Sequence, residues 1–296
     1  MVADYHSLTS QKDREALREN TLNIVKDYLA AGVDPEKMTL FKQSDIREHT
    51  ELAWIFECLV TVPFLSQAHA YKDKVAKGME ATAGLFNYPM LMAADILLYD
   101  ADVVPVGEDQ RQHIEYTREA AVKFNNAFGE TFKEPAEAIL KAVGVVPGTD
   151  GTKMSKSYKN TIPLFGTKDE VAKAVMSIVT DSGLTRNEAS TISAATGQAI
   201  MRAVPHAQNV FKIHQLFKPE NYDELFDFYM NNENNYKALK EALIEDIEKA
   251  LSPLRERRKE ISDDDVRAVL TQGAEKARVH AQKKMKDVRN KIGLTL

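Results

Sequence analysis

One cysteine, Cys58, in 296 residues excludes an intramolecular disulfide and any cysteine-built zinc site. Cys58 sits in an apolar run and reads as a small core residue, in a reducing, cytoplasmic setting. No apolar run approaches the roughly 20 residues that a membrane-spanning helix needs. The opening Met1-Val2-Ala3-Asp4 carries no secretory signal. There is no internal repeat and no low-complexity segment. No glycine-rich phosphate loop of the Walker type is present, which excludes a P-loop enzyme. The seven histidines show no metal-ligand spacing. The formal net charge is −5, so the chain as a whole lacks the basic signature of a nucleic-acid binder.

What is present is an ordinary globular composition, 44% hydrophobic and 28% charged, in a length that suggests about two domains. Charge is uneven. From Pro253 onward there are 12 Lys and Arg against 7 Asp and Glu, which fits either a polyanion nearby or a solvated helix face. The first residues, ending at His6, read as the tail of a strand. Ser10 reads as a helix N-cap with Asp13 in the first turn, and Leu17, Thr21, Ile24, Val25, Tyr28 and Leu29 mark the apolar face of that helix. Met38 to Phe41 reads as a short buried strand. Strand, helix, strand points to a parallel α/β sheet. Helical pattern runs from His49 to Ala70, broken at Pro63, followed by an exposed turn at Tyr71 to Lys74. A helix apolar on nearly all sides follows, with Pro89 in its first turn and Asp95 in its middle. Val103 to Val106 reads as another buried strand, leading through Gly107 into a helix that is apolar at Ile114, Thr117, Ala121, Phe124 and Phe128. The region after Thr161 to Thr167 is helical, with a stripe at Leu239, Leu243, Ile247, Ala250 and Leu254. A final long helix carries Val266, Val269, Ala277, Ala281, Met285 and Val288.

Three places stand out chemically. Asp95 is a lone carboxylate on an apolar helix, costly to bury unless something donates to it. Tyr88, Met92 and Asp95 share one helix face and together offer a ring, a thioether and one acceptor. That face suits a flat apolar ligand with a single N–H or O–H donor, or else a structural ion pair. Gly107-Glu108-Asp109-Gln110 lies beyond the carboxyl end of a strand, where ligands bind in open α/β sheets. His6 is expected at such an end too. The third place is Lys153-Met154-Ser155-Lys156-Ser157, preceded by Gly148 and Gly151. It has no helix or strand periodicity and reads as a cationic loop, suited to negative charge developing on a phosphate. Two lysines in a loop are otherwise a solvated surface feature.

Together these strings resemble the tryptophanyl-tRNA synthetase family, of the class I group that also holds the tyrosyl enzymes. The likeness rests on Ala-Asp-Tyr-His-Ser-Leu-Thr at 3 to 9, Glu-His-Thr-Glu-Leu-Ala-Trp at 48 to 54, Tyr-Pro-Met-Leu-Met-Ala-Ala-Asp-Ile-Leu at 88 to 97, Val-Pro-Val-Gly-Glu-Asp-Gln at 104 to 110, and the lysine loop. The resemblance implies a Rossmann-like catalytic domain over residues 1–165 and a helical anticodon-binding domain over 166–296. It implies that Asp95 accepts the indole N–H of L-tryptophan and that Tyr88 and Gln110 hold the ammonium and carboxylate. Met92, Val104, Val106 and His6 would shape the pocket. Gly107, Glu108 and Asp109 would meet the ATP ribose. Lys153, Lys156 and Lys74 would bind the phosphates, with Met154, Ser155 and Ser157 completing the loop. ATP with Mg2+, tRNA(Trp) and a homodimer are implied in the same way, with no membrane partner. The family pattern also opens upstream with a strand–helix unit carrying Pro-Thr/Ser-Gly and His-x-Gly-Asn. Neither string occurs here, so the resemblance implies a half-represented adenylation site, lacking roughly 35 to 40 residues. A relative that binds tryptophan or tRNA without activating the amino acid, and a tyrosine-specific enzyme, are the alternatives.

Overall fold

A computed structural model describes residues 1–76, 78, 80–139, 146–155, 158–180, 190–192, 199–201, 207–218, 220–232 and 235–295. They divide into two compact units, Met1–Lys141 with Ile261–Leu296, and Ala142–Glu260.

In the first unit Val2 makes a single parallel bridge with Lys42, donating to Phe41 O at 2.8 Å and accepting from Gln43 N at 2.9 Å. The chain then turns into helix α1 (Asp4–Ser7), so the strand expected to reach His6 stops short of it. Asp4 causes the turn. Its carboxylate accepts from the amides of Tyr5 and Ser44 and from the Ser44 hydroxyl, offering the backbone an alternative to a ladder. The strand expected at Met38 to Phe41 is likewise reduced to that bridge: Leu40 and Phe41 are buried, and Met38 is exposed. Helix α2 (Arg14–Ala30) is capped by Asp13 and not by Ser10. The Asp13 carboxylate accepts from Glu15 N and Ala16 N at 2.9 and 3.1 Å. Gly32, at φ +100°, ends the helix.

Helix α3 (Glu48–Glu57) exposes Trp54 and buries Phe56. Cys58, expected in the core, is exposed just past its end, because the buried stripe of α3 is Leu52, Ala53, Ile55 and Phe56. Helix α4 (Val62–Leu65) starts with Pro63 in its first turn. Helix α5 (His69–Ala76) contains Tyr71 to Lys74, where an exposed turn was expected; the Tyr71 ring meets Phe86 edge-on at 5.0 Å and ties the segment down. Helix α6 (Ala83–Leu97) begins at the Thr82 cap, so Pro89 lies inside it and not in its first turn. Its buried residues include Leu85, Met90, Ala93, Ala94 and Leu97, as its apolar pattern requires.

Strand β1 (Val103–Val106) leads through a 3-10 turn at Glu108–Gln110 into helix α7 (Arg111–Phe128), which buries Ile114, Thr117, Ala121 and Phe124. Strand β2 (Ala136–Ile139) returns parallel to β1, in register from Val103 opposite Ala136 to Val106 opposite Ile139. This is a βαβ unit, the building block of an open parallel sheet. β1 was expected to be buried, yet its residues alternate and Val103 is 55% exposed. Among the described residues its sheet has two strands, so β1 is not sandwiched on both faces.

The second unit is mostly helical. Helix α8 (Lys168–Met176) opens with a Thr167–Glu170 capping box. Strands β3 (Ser190–Ile192) and β4 (Ala199–Met201) pair antiparallel. Helices α9 (Gln208–Phe217), α10 (Tyr222–Asn231) and α11 (Tyr236–Glu260) follow. The α11 stripe is Leu239, Leu243, Ile247 and Leu251, with Leu251 taking the place expected of Ala250. Lys240 is buried on α11 and its ammonium caps Met176 O and Ile178 O at 2.8 and 2.7 Å, fixing the end of α8.

Helix α12 (Asp263–Lys291) then packs back into the first unit, although the sequence grouped it with the helices before it. Its Ala274, Ala277, Ala281, Met285 and Val288 share a core with Phe56, Met90, Leu97 and Phe124. Gly273 permits this approach: a Cβ there would fall 1.9 Å from Leu40 O. Gly273→Ala must therefore shift the helix or the Leu40 backbone. The expected loss is about 1–3 kcal/mol of stability, read as a lower denaturant midpoint in urea unfolding. An unchanged midpoint would show that α12 moves freely. No helix among the described residues is long and apolar enough to cross a membrane.

Candidate active site

Asp95 projects from the buried middle of α6, its side chain 8% exposed. The donors that its burial demanded are present. Gln43, fully buried, donates its amide N–H to both carboxylate oxygens at 2.8 and 2.9 Å. His6 Nε2 lies 2.9 Å from Oδ2, and His49 Nδ1 stands 2.6 Å from Oδ1. His49 Nε2 meets the Tyr99 hydroxyl at 2.9 Å. Burial alone pushes the Asp95 carboxyl up; hydrogen bonds and charge from His49 and His6 more than reverse it, holding the group below its ordinary value and ionised. Burial pushes the Tyr99 phenol up, and the negative charge of Asp95 adds to that.

Two turns earlier on α6, Tyr88 meets His113 Nε2 at 2.6 Å through its hydroxyl. Burial raises the Tyr88 phenol and lowers His113, so both are neutral near pH 7 and share one hydrogen bond between hydroxyl and ring nitrogen. The His6 ring stands edge-on to Tyr88 at 6.0 Å. His6, Tyr88 and Asp95 are thus brought together, from α1 and α6, with Met92 half-buried on the same helix face. A cavity of about 500 Å³ opens beside His6 and Tyr88, walled also by Thr9, Trp54, Glu57 and Asn87; Asp95 and Met92 do not line it. That volume is in the range of small-molecule sites.

Val104 and Val106 are half-buried on one face of β1, two residues apart. Gly107 follows them, and a Cβ at that position would meet the Asp109 carboxylate at 2.7 Å. Glu108 and Asp109 are exposed, while Gln110 is half-buried and donates to Asp109 at 3.1 Å. Lys74 is half-buried in the last turn of α5. Lys153, Met154 and Ser155 belong to the second unit, in a hairpin closed by an antiparallel bridge between Pro147 and Lys153. Lys153 is exposed, and Met154 packs on the unit's core. Lys156 and Ser157 lie outside the described residues.

A family model described as tRNA synthetases class I (W and Y) matches residues 1–252. The chain belongs to that family. Among curated relatives, the tryptophan–tRNA ligase of Fusobacterium nucleatum is 46% identical over 297 residues, covering 99% of this chain and 87% of its own length. That of Rhodopirellula baltica is 43% identical, covering 99% and 88%. The crystal structure of Campylobacter jejuni tryptophanyl-tRNA synthetase complexed with ADP and tryptophan superposes with a TM-score of 0.83 at 40% identity, over 98% of this chain and 88% of that one. An Archaeoglobus fulgidus tyrosyl-tRNA synthetase complexed with L-tyrosine, at 18% identity and a TM-score of 0.63, shares the fold alone.

In this synthetase the partners of Asp95 and Tyr88 were the residues that sequence reading passed over. Gln43 and His49 face Asp95, Tyr99 backs His49, and His113 backs Tyr88. His113 had a usable signal, a histidine on the α7 face that also carries Ile114 and Thr117. Gln43 had none, because it opens a three-residue 3-10 turn, Gln43–Asp45, too short to carry a periodic pattern.

Proposed function

We infer that the chain is a tryptophan–tRNA ligase. The observation that carries the reading is an ionised carboxylate, Asp95, held inside an apolar helix face beside Tyr88 and Met92, in a chain that matches tryptophan–tRNA ligases along nearly its whole length. The tryptophan carboxylate attacks the α-phosphate of ATP, pyrophosphate leaves, and the adenylate then passes its aminoacyl group to the terminal ribose of tRNA(Trp).

Asp95 accepts the indole N–H. Its two oxygens offer about four acceptor sites; Gln43 donates to both oxygens, His6 bonds one, and His49 stands against the other at ion-pair distance. Gln43 spans both oxygens, so withdrawing one of its contacts admits the indole while each oxygen stays held. Tyr88 and Gln110 take the ammonium and carboxylate, and Met92, Val104, Val106 and His6 wall the ring. Gly107, Glu108 and Asp109 meet the ribose of ATP. Lys153, Lys156 and Lys74 bind its phosphates, with Met154, Ser155 and Ser157 in the same loop. Among the described residues no three His, Cys, Asp or Glu side chains gather into a metal site. Mg2+ arrives on the phosphates of ATP, where it neutralises charge. The helices of the second unit, α8 to α11, read the anticodon. A homodimer is supported by exposed Trp54 and Val62, each 67% exposed on neighbouring helices α3 and α4. The reaction belongs to the cytoplasm, where tRNA is charged.

The deciding experiment is tryptophan-dependent ATP–pyrophosphate exchange, followed by charging of tRNA(Trp). Exchange is expected with tryptophan, and at least about 10²-fold lower kcat/KM with phenylalanine, which has no donor to place against Asp95. Tryptophan binding by calorimetry without exchange would identify a non-catalytic relative instead.

A further inference from the structure

The lysine loop carries a residue that no lysine explains. Asn160 follows it, is only 2% exposed, and lies in no helix or strand. Its side-chain oxygen accepts from Ser155 N at 2.7 Å. Its amide nitrogen points at Asp150 Oδ1, Thr152 Oγ1 and Lys153 O, at 2.8, 3.2 and 3.1 Å. Its backbone carbonyl accepts from Thr149 N at 2.9 Å. One side chain therefore ties the Lys153 carbonyl and the Ser155 amide to the Asp150 and Thr152 side chains.

The neighbourhood is shaped for that grip. A Cβ on Gly148 would fall 2.2 Å from the Asn160 amide nitrogen, so glycine makes room for it. Lys159 adopts φ +55°, a turn that brings Asn160 back under the hairpin. Asp150 accepts from the Thr152 amide and hydroxyl at 3.0 and 2.9 Å, and the Asn160 hydrogen bond is the first cause holding its carboxyl below the ordinary value. The hairpin is tied onward: Val179 N donates to Thr149 O at 2.8 Å, just past the end of α8. A buried amide satisfied on every side is a rigid anchor.

We propose that Asn160 is a positioning residue for pyrophosphate departure, fixing the backbone from which Lys153 reaches the leaving phosphates. The proposal rests on the reading of this loop as the phosphate site. Cations aimed at developing charge help only when held in place, and a displacement of about 1 Å can cost on the order of 10²-fold. Asn160 touches no substrate; it acts through the loop.

The test uses the full chain with Asn160→Ala, and with Asn160→Asp, which keeps the size and the acceptor for Ser155 N but loses the donors to Asp150, Thr152 and Lys153. Both should lower kcat of tryptophan-dependent exchange about 10²-fold, while tryptophan Kd stays within twofold. A merely structural residue would instead lower the unfolding temperature and leave the folded enzyme's kcat intact. A cycle with Lys153→Ala adds a second readout. If Asn160 works through the lysine, the double variant loses clearly less than the product of the two single losses. Exchange within threefold of the parent for both Asn160 variants, or strictly multiplicative losses, would overturn the proposal. Should Asn160→Ala not fold, Asn160→Asp alone decides it. An unaffected Lys153→Ala enzyme would instead sink the phosphate-site reading itself.

Discussion

Asp95→Ala is expected to raise the tryptophan Kd about 5- to 150-fold, the equivalent of about 1–3 kcal/mol. Two effects add. The indole N–H loses its acceptor, and the nitrogens of Gln43, His6 and His49 lose theirs inside the protein. The loss should be specific. ATP affinity depends on residues elsewhere in the chain and should stay near the parent value. Asp95→Asn, equal in size, separates charge from shape: it retains one oxygen acceptor but turns an N–H₂ toward donors already in place, so tryptophan affinity should fall here too. Calorimetry on both variants, with thermal unfolding to establish that they fold, reads the outcome. Parent-like tryptophan affinity in folded Asp95→Ala would remove the carboxylate from substrate recognition.

Lys153→Ala should act on the other half of the reaction. Its side chain is exposed, so its removal leaves no cavity and should not disturb folding. Loss of one fixed cation at developing phosphate charge costs on the order of 10²–10³-fold in kcat. The tryptophan Kd should move less than twofold, because binding of the amino acid precedes that charge. A fall in kcat with tryptophan affinity intact is the signature of an interaction made only in the transition state. Parallel losses in both would assign the lysine to ground-state binding. Pre-steady-state measurement of adenylate formation distinguishes the two.

Periodicity in the sequence was enough for the elements that are long and one-sided. The apolar α6 around Asp95 and the α7 face at Ile114, Thr117, Ala121 and Phe124 appear where the pattern placed them. Short elements were not legible, because contacts far away in sequence decide them. Ala136–Ile139 contains two alanines and a glutamate and has little strand preference; pairing with Val103–Val106 makes it one. Tyr71 to Lys74 is polar enough to pass for a turn, and a ring contact with Phe86 holds it helical. Asp4 ended a strand by binding the Ser44 amide, 40 positions later. In the candidate site the same division holds. Asp95 announced itself through the cost of burying it. Gln43 and His49, which offset that cost, are visible only once the chain has folded. The packing of α12 was hidden for a related reason: its apolar stripe shows that it needs a core but not which one.

That packing has a consequence for how the chain is made. The first unit is discontinuous in sequence, interrupted by residues 142–260. A ribosome adding about 5–20 residues per second needs roughly 8 to 30 seconds to pass from Lys141 to Lys291. During that interval the groove that receives Ala274, Ala277, Ala281, Met285 and Val288 is open, with the apolar sides of Phe56, Met90 and Phe124 unsealed. The inserted unit, continuous in sequence, is free to condense first. The Asp95 cluster, built on α6 beside that same open groove, therefore gains its full packing only after α12 has been made.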